Sequence, residues 1–220
     1  MSPELENKVA HIENLADVHT SLGKEMLSAD GGNFFGVDFL AVAVIKRSMS
    51  LCAAFAALVR SRNYTSAAAL LRLQLDSCLR FYAAFIVEKP HEFAMEVLRG
   101  VPIRKMKDSS GEKMTDKYLV EQLGRRYHWM PSVYDATSGF VHLSQRHIYA
   151  TGEWSPEGVS LILGAMDEHI DEEFWIEMAD GFLACTNALF EYLRGWVFTK
   201  ANPQEVARVK AARRGPQETN

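Results

Sequence analysis

The sequence predicts an all-α protein, a helical bundle of five to seven helices with a small β-hairpin near residues 147–163. Three observations carry this prediction. Apolar residues recur at three- and four-residue spacing through most of the chain. Strand and helix patterns do not alternate, which excludes an open α/β sheet. No repeat with a period of about 20–50 residues is visible, which argues against a solenoid.

Length and composition are those of an ordinary globular domain. The chain has 220 residues, of which 48% are hydrophobic and 24% are charged. These values exclude a disordered chain, a collagen-like fibre and a disulfide scaffold. A chain of this length buries a core without metal or disulfide staples. We predict a single domain over residues 1–202, followed by a mobile tail at 203–220 that lacks aromatic residues.

The first half of the chain contains four predicted helices. The first covers residues 3–28, with charged residues between its apolar positions. The second covers 37–61 and is apolar on nearly every face, which favours the centre of a bundle or a subunit interface. The third runs from the cap residues at 63–65 to about residue 88. A short fourth helix at 90–99 begins with a proline in its first turn.

The second half continues the bundle after a charged loop at residues 103–114. Further helices are predicted over residues 115–126, from Pro131 onward, and over 171–199. Two β-prone runs around a Pro/Gly turn within residues 147–163 predict the hairpin. The apolar second helix and the aromatic-rich last helix are the expected interface of a homodimer.

The cysteines and the apolar runs indicate a cytoplasmic protein. Cys52, Cys78 and Cys185 lie in apolar segments without the spacing of a metal site, so we expect buried free thiols and no bound metal. That use of cysteine suits a reducing compartment. The N-terminus does not read as a secretory signal, and the apolar runs fall short of the roughly 20 residues of a membrane span.

Charge is distributed unevenly along the chain. The formal net charge of -4 by itself argues against a chain that binds nucleic acid over most of its surface. Residues 153–180 hold nine acidic and no basic side chains, whereas 99–126 hold eight basic against four acidic. The two segments either face each other, within a subunit or across a dimer, or are solvated surfaces. The basic loop can also bind a phosphate backbone, through Arg104, Lys105 and Lys107.

A charged stripe interrupts the otherwise apolar third helix. Arg72, Asp76 and Arg80 are spaced four residues apart and therefore lie on one face, where the carboxylate can bridge both guanidinium groups. Buried charges must be paired or must line a wet cavity. Two interpretations stay open, a salt-bridge ladder that orients helices and a pocket for an anion or a phosphate.

A second candidate site contains His142 and Arg146. If the sixth helix continues this far, the two side chains are adjacent. Proton transfer by a histidine and charge stabilisation by an arginine are what metal-free RNA cleavage requires. The alternative is a histidine that caps a helix or bonds a backbone carbonyl. A glycine-rich phosphate loop, a GxSxG elbow and an HExxH motif are all missing, so no cofactor is expected.

Three segments carry a resemblance. The first is YTSAAALLR at 64–72, and the third is SGFVHLS at 138–144. The second is the loop with GVPIRKMKD at 100–108 and MTD at 114–116. Over about residues 35–150 the chain resembles a family of uncharacterised bacterial helical proteins, which is remotely similar to the HEPN superfamily of helical RNases and nucleotide-binding proteins. The resemblance implies a bundle that dimerises. HEPN RNases place an arginine about four to six residues before a histidine; here only His142 matches, and Arg146 follows it.

These observations lead to two hypotheses about function. The first is a non-catalytic, HEPN-like dimeric module that binds a partner, a nucleotide or RNA. The second is an atypical metal-independent RNase of a toxin or phage-defence system that uses His142 with a nearby arginine.

Overall fold

Helices dominate the computed structural model, which describes residues 1–206 and 208. The α-helices are α1 (Pro3–Ser28), α2 (Gly36–Arg60), α3 (Tyr64–Ile86), α4 (Pro90–Leu98), α5 (Asp116–Gly124), α6 (Met130–Ser138), α7 (Gln145–Tyr149) and α8 (Glu172–Ala201). Residues 203–206 are also helical, and most of the predicted mobile tail lies outside the described residues. The all-α prediction is confirmed.

Two short strands lie between α7 and α8. Strand β1 (Gly152–Ser155) pairs antiparallel with β2 (Gly158–Leu161), with Gly152 opposite Leu161 and Ser155 opposite Gly158. The pairing begins later in the chain than the predicted range of 147–163, because residues up to 149 belong to α7.

Local capping sets the start of several helices. The Ser2 hydroxyl accepts a hydrogen bond from Leu5 N at 3.2 Å at the start of α1. The Asn63 side chain accepts from Ser66 N at 3.1 Å, and the Thr115 hydroxyl accepts from Tyr118 N. Each cap satisfies a backbone N–H that has no partner within its own helix.

The core lies between four long helices. Helix α2 packs against α1, α3 and α4, and α8 closes the bundle against α1 and α3. The stacked rings of Phe55 and Phe182, 4.1 Å apart between centroids, join α2 to α8 at its centre. Within the described part of the chain α2 alone is long and apolar enough to cross a membrane, and 44% of that stretch is buried inside the bundle.

A buried polar chain crosses this core. His19 Nδ1 donates to the Leu15 carbonyl oxygen at 2.7 Å, so the neutral ring accepts the Ser48 hydroxyl at Nε2, also at 2.7 Å. Gln74 Nε2 donates to the hydroxyls of Ser48 and Thr186 at 2.6 and 2.8 Å. The serine and histidine are spaced as a nucleophile and its base would be, but both are 0% exposed. Their role is therefore to connect the helices.

A buried ion pair fixes one end of the bundle. Lys200 Nζ of α8 donates to Asp38 Oδ2 of α2 at 3.0 Å and to the Met26 carbonyl oxygen of α1 at 2.9 Å. Trp196 Nε1 donates to the other carboxylate oxygen at 2.7 Å. The side chains of the lysine and the aspartate are both 0% exposed. Residues of three helices, α1, α2 and α8, therefore meet at one buried ammonium group.

Removing the cation should destabilise the fold strongly. We expect Lys200→Met to lower the free energy of unfolding by about 3–5 kcal/mol, because it leaves the buried Asp38 carboxylate without a countercharge. Lys89→Met removes an exposed ion pair with Glu92 and should cost less than about 1 kcal/mol. Guanidinium unfolding monitored by circular dichroism measures both. Equal effects of the two variants would contradict this assignment.

The buried polar chain predicts a pH dependence of stability. Burial lowers the pKa of His19 below 6.5, although the hydrogen bond to Leu15 opposes the shift. The unfolded chain therefore binds a proton here at a higher pH than the folded chain, and the free energy of unfolding should fall as the pH drops below about 6.5. Unfolding titrations at about pH 7.5 and 5.5 measure this. We expect His19→Gln to reduce the dependence and the exposed control His128→Gln to retain it; an unchanged His19→Gln profile would contradict the prediction.

Candidate functional site

The charged stripe of α3 is completed by residues from two other helices. Asp76 accepts Arg80 Nε and, from α2, Arg47 Nη1, each at 2.9 Å. Asp116, in the first turn of α5, accepts Arg72 Nη2 at 2.9 Å and also Arg80 Nη2. The predicted bridging of Arg72 and Arg80 by Asp76 is thus corrected, because Arg72 pairs with Asp116 instead.

These five residues form one alternating chain of charges, which we call the charge network: Arg47, Asp76, Arg80, Asp116 and Arg72. Three cations and two anions leave it with one net positive charge. Burial alone would raise the pKa of Asp116, but the guanidinium groups of Arg80 and Arg72 lower it overall. The carboxylate therefore stays ionised near neutral pH, and the network keeps its charges.

The network opens into a cavity of about 330 Å³, which we call the arginine cavity. Its volume is in the range of small-molecule sites, about 300–1,000 Å³. The Arg72 guanidinium stacks over the Tyr134 ring at 4.5 Å, and this arginine is only 8% exposed. The walls consist of residues from α3, α5, α6 and the segment after α6: Arg72, Leu73, Asp76, Asp116, Tyr134, Ser138, Val141 and His142.

The structure does not place His142 and Arg146 on one helical face. Helix α6 ends at Ser138, and α7 begins at Gln145. The break is fixed by Ser144, whose hydroxyl donates to the Gly139 carbonyl oxygen at 2.7 Å and accepts from Arg146 N at 3.2 Å. The two candidate residues consequently line different cavities.

His142 lies at the exposed rim of the arginine cavity. It makes no hydrogen bond to another residue in the described part of the chain, so it neither caps a helix nor bonds a backbone carbonyl there. The arginine that shares its cavity is Arg72, which comes from a different helix. The sequence places these two residues 70 positions apart, and only the packing of α6 on α3 brings them to one cavity.

The basic loop, residues 103–114, has a defined shape. Asp108 accepts the backbone N–H groups of Ser110 and Glu112 at 2.9 and 3.0 Å, and Ser109 N bonds the Ile86 carbonyl oxygen at the end of α3. Met114 is fully buried and anchors the return of the loop. The three predicted phosphate-binding residues are exposed and have no ion-pair partner within the described ranges: Arg104, Lys105 and Lys107. The loop leads directly into Asp116 of the charge network.

Among the described side chains, no ion pair joins the acidic segment to this loop. Glu172 instead accepts Arg62 Nη2 at 2.8 Å and the Ser2 backbone N–H, and these hydrogen bonds lower its pKa to about 2. Asp167 accepts Tyr64 N at 2.8 Å and so caps α3. Part of the acidic run therefore joins elements of the bundle.

The cysteines and potential metal ligands form no further site. Cys52, Cys78 and Cys185 are buried free thiols. Burial raises the pKa of Cys52 to about 11 and that of Cys78 to about 12, so these thiols stay protonated. Across the ranges that the structure describes, no three His, Cys, Asp or Glu side chains group as metal ligands would.

The arginine cavity thus combines a fixed guanidinium, two ionised carboxylates, a tyrosine and a solvent-accessible imidazole. This set can bind a ligand that carries both negative charge and hydrogen-bond donors. Comparisons of the chain with protein-family models, with curated proteins and with solved structures gave no match.

Proposed function

We propose that the chain is a non-catalytic binding module whose arginine cavity receives a phosphate group of a nucleotide or of an RNA strand. The observation that carries the proposal is Arg72, which is nearly buried and yet lines an open cavity. Its Nη2 bonds Asp116, while Nη1 and Nε make no hydrogen bond to a described residue. A guanidinium held in place by a carboxylate and an aromatic ring is preorganised for an anionic oxygen.

The carboxylates explain why a nucleotide suits the cavity better than a bare anion. Asp76 and Asp116 line it with lone pairs beyond those that the arginines use. Ribose hydroxyls and base amino groups are donors that such oxygens accept. The ligand therefore needs acceptors toward Arg72 and donors toward the aspartates, and a nucleotide has both.

The basic loop leads in the chain into Asp116 of this site. Arg104, Lys105 and Lys107 are exposed and have no ion-pair partner among the residues that the structure describes. Backbone phosphates are neutralised by such side chains with little demand on geometry. A single RNA strand with one phosphate in the cavity and further phosphates on the loop is the ligand that this arrangement favours.

A cytoplasmic, HEPN-like identity belongs to the same proposal. The all-α bundle is compatible with that superfamily, and three buried free thiols suit a reducing compartment.

The alternative function is metal-independent RNA cleavage, as an atypical RNase of a toxin or phage-defence system. Its supporting observation is that exposed His142 shares the cavity with Arg72. In that reaction His142 would transfer the proton and Arg72 would stabilise the charge that develops at phosphorus. Arg146 has no part in it, since it lines the other cavity.

The binding proposal predicts how a fluorescent, 5′-phosphorylated RNA decamer binds in an anisotropy titration. We expect Arg72→Gln to weaken binding about tenfold or more, because it removes a charge-assisted contact. The double variant Lys105→Ser, Lys107→Ser alters only exposed side chains and should reduce the dependence of affinity on salt. Arg146→Gln serves as the matched control with wild-type affinity.

The same RNA separates the two functions. A binding module leaves it intact over hours, as judged by gel electrophoresis. If the wild type and Arg146→Gln cleave the RNA and His142→Ala does not, the protein is the RNase and the binding proposal is wrong. The site would be ruled out if Arg72→Gln and the double lysine variant bind the RNA with the affinity of the wild type. Unfolding curves like that of the wild type show that both variants are folded.

A homodimer through α2 is the second part of the proposal. The side of α2 that faces away from the core exposes Phe39 at 46% and Val42 at 41%. Beyond the exposed Lys46, which also lies on this face, small side chains follow toward the C-terminal end of the helix, where two backbones can approach closely: Ser50, Ala53, Ala54 and Ala57. An exposed apolar patch that follows one long helix is typical of a subunit interface.

The dimer is tested by analytical ultracentrifugation. We expect the wild type to sediment as a dimer and Ala54→Arg to sediment as a monomer, because a buried unpaired charge is costly at an interface. Thr20→Arg, on the exposed side of α1, is the matched control and should remain dimeric. A monomeric wild type at micromolar concentration would contradict the prediction.

A further inference from the structure

A second cavity, which we call the apolar pocket, lies between α3, α6 and α8 and takes no part in the proposed function. Its volume is about 220 Å³. Its inner surface is formed by aliphatic and aromatic side chains, among them Leu71, Val133, Phe140 and Met178. This volume is below the range of about 300–1,000 Å³ for drug-sized ligands, so the pocket suits a molecule much smaller than a nucleotide.

Gly181 lies on the wall of this pocket, where α3 and α6 pack closely against α8. A glycine within a helix costs about 1 kcal/mol relative to alanine, so helix propensity does not favour it in the middle of α8. A Cβ at this position would lie 3.3 Å from Leu71 Cδ2 and 3.8 Å from Val133 Cγ2. A Cβ here would press on Leu71, so the glycine allows the side chains of α3 and α6 to approach α8 closely at the wall of the pocket.

Two opposite charges line the pocket without pairing with each other. The Arg146 side chain has one hydrogen bond within the described residues, to the Asp135 carbonyl oxygen at 3.4 Å, and stacks over Phe140 at 5.9 Å. Glu177 is exposed and has no ion-pair or hydrogen-bond partner within the same ranges. The uncharged polar residues Tyr64, Ser132 and Thr137 also line this pocket. A few polar groups on an apolar surface are the usual composition of a ligand site.

The charges restrict the class of ligand. An apolar carboxylate would meet Glu177, and an apolar amine would meet Arg146, so each gains one attraction at the expense of one repulsion. A zwitterion satisfies both residues. The ligand that matches an apolar floor, a small volume and two separate opposite charges is an α-amino acid with an apolar side chain.

We propose that the apolar pocket binds a free apolar amino acid of about the size of leucine or phenylalanine. Arg146 holds the carboxylate, Glu177 holds the ammonium group, and the side chain lies beside Gly181 against Leu71 and Val133. The site is separate from the arginine cavity, so the amino acid is a second ligand beside the proposed nucleotide or RNA.

The test is a titration of the full chain with L-leucine and L-phenylalanine, followed by calorimetry and by the ¹H–¹⁵N shift of Gly181. We expect saturable binding of both. The comparison ligands 3-phenylpropionate, 2-phenylethylamine and glycine each lack one of the three features and should bind about tenfold or more weakly. Arg146→Gln and Glu177→Gln alter exposed side chains and should each weaken binding by a similar factor.

Gly181→Leu should abolish binding because its side chain occupies the pocket. Gly181→Ala, which favours the helix, should weaken it while the protein remains folded. Arg72→Gln is the control that should bind the amino acid like the wild type, so the failure of one site is distinguishable from the failure of the other. No shift of Gly181 with either amino acid, or binding that 3-phenylpropionate matches, would overturn the proposal.

Discussion

The bridging of Arg72 and Arg80 by Asp116 is the interaction on which the candidate site depends. Helix α3 is packed on several sides, so its charged stripe is stable only where partners neutralise it. One partner, Arg47, comes from α2, and the other comes from the first turn of α5. The same bonds that satisfy the stripe also position α5 and hold one guanidinium at the cavity wall. The same ion pairs thus stabilise the packing of α5 and form the polar wall of the arginine cavity.

Buried polar groups elsewhere in the bundle act differently. The chain through His19, Ser48 and Gln74 crosses the core without reaching solvent, and it links helices through hydrogen bonds that have defined directions. Directional bonds of this kind select one arrangement of helices among the many that apolar side chains alone would permit. The arginine cavity differs because one side of its polar cluster is open.

Most of the helical framework could be predicted from the sequence, since periodicity and caps are local properties. The stripe of Arg72, Asp76 and Arg80 was also evident from spacing, but its partners were not, because packing between distant segments selects them. The end of α6 before His142 was less evident, because the apolar periodicity suggested that the helix continues, although the residues around Ser144 indicate a break. Ser144 is a good N-cap, and a Cβ at Gly139 would lie 2.8 Å from its hydroxyl oxygen. Arg146 was a candidate in the sequence, but its place beside Glu177 had no signal, since only the fold brings the two residues to one pocket.

The ion pair between Asp38 and Lys200 has a consequence for how the chain is made. Its members are 162 residues apart, and the lysine lies at the end of the helix that closes the bundle. A nascent chain that emerges N-terminus first therefore carries an apolar α2 and an uncompensated carboxylate until almost all of the described chain has been synthesised. The last helix supplies both the missing apolar surface and the missing cation. The core is thus completed only when α8 has been synthesised, and a product truncated before α8 leaves Asp38 of the apolar α2 without its buried cation.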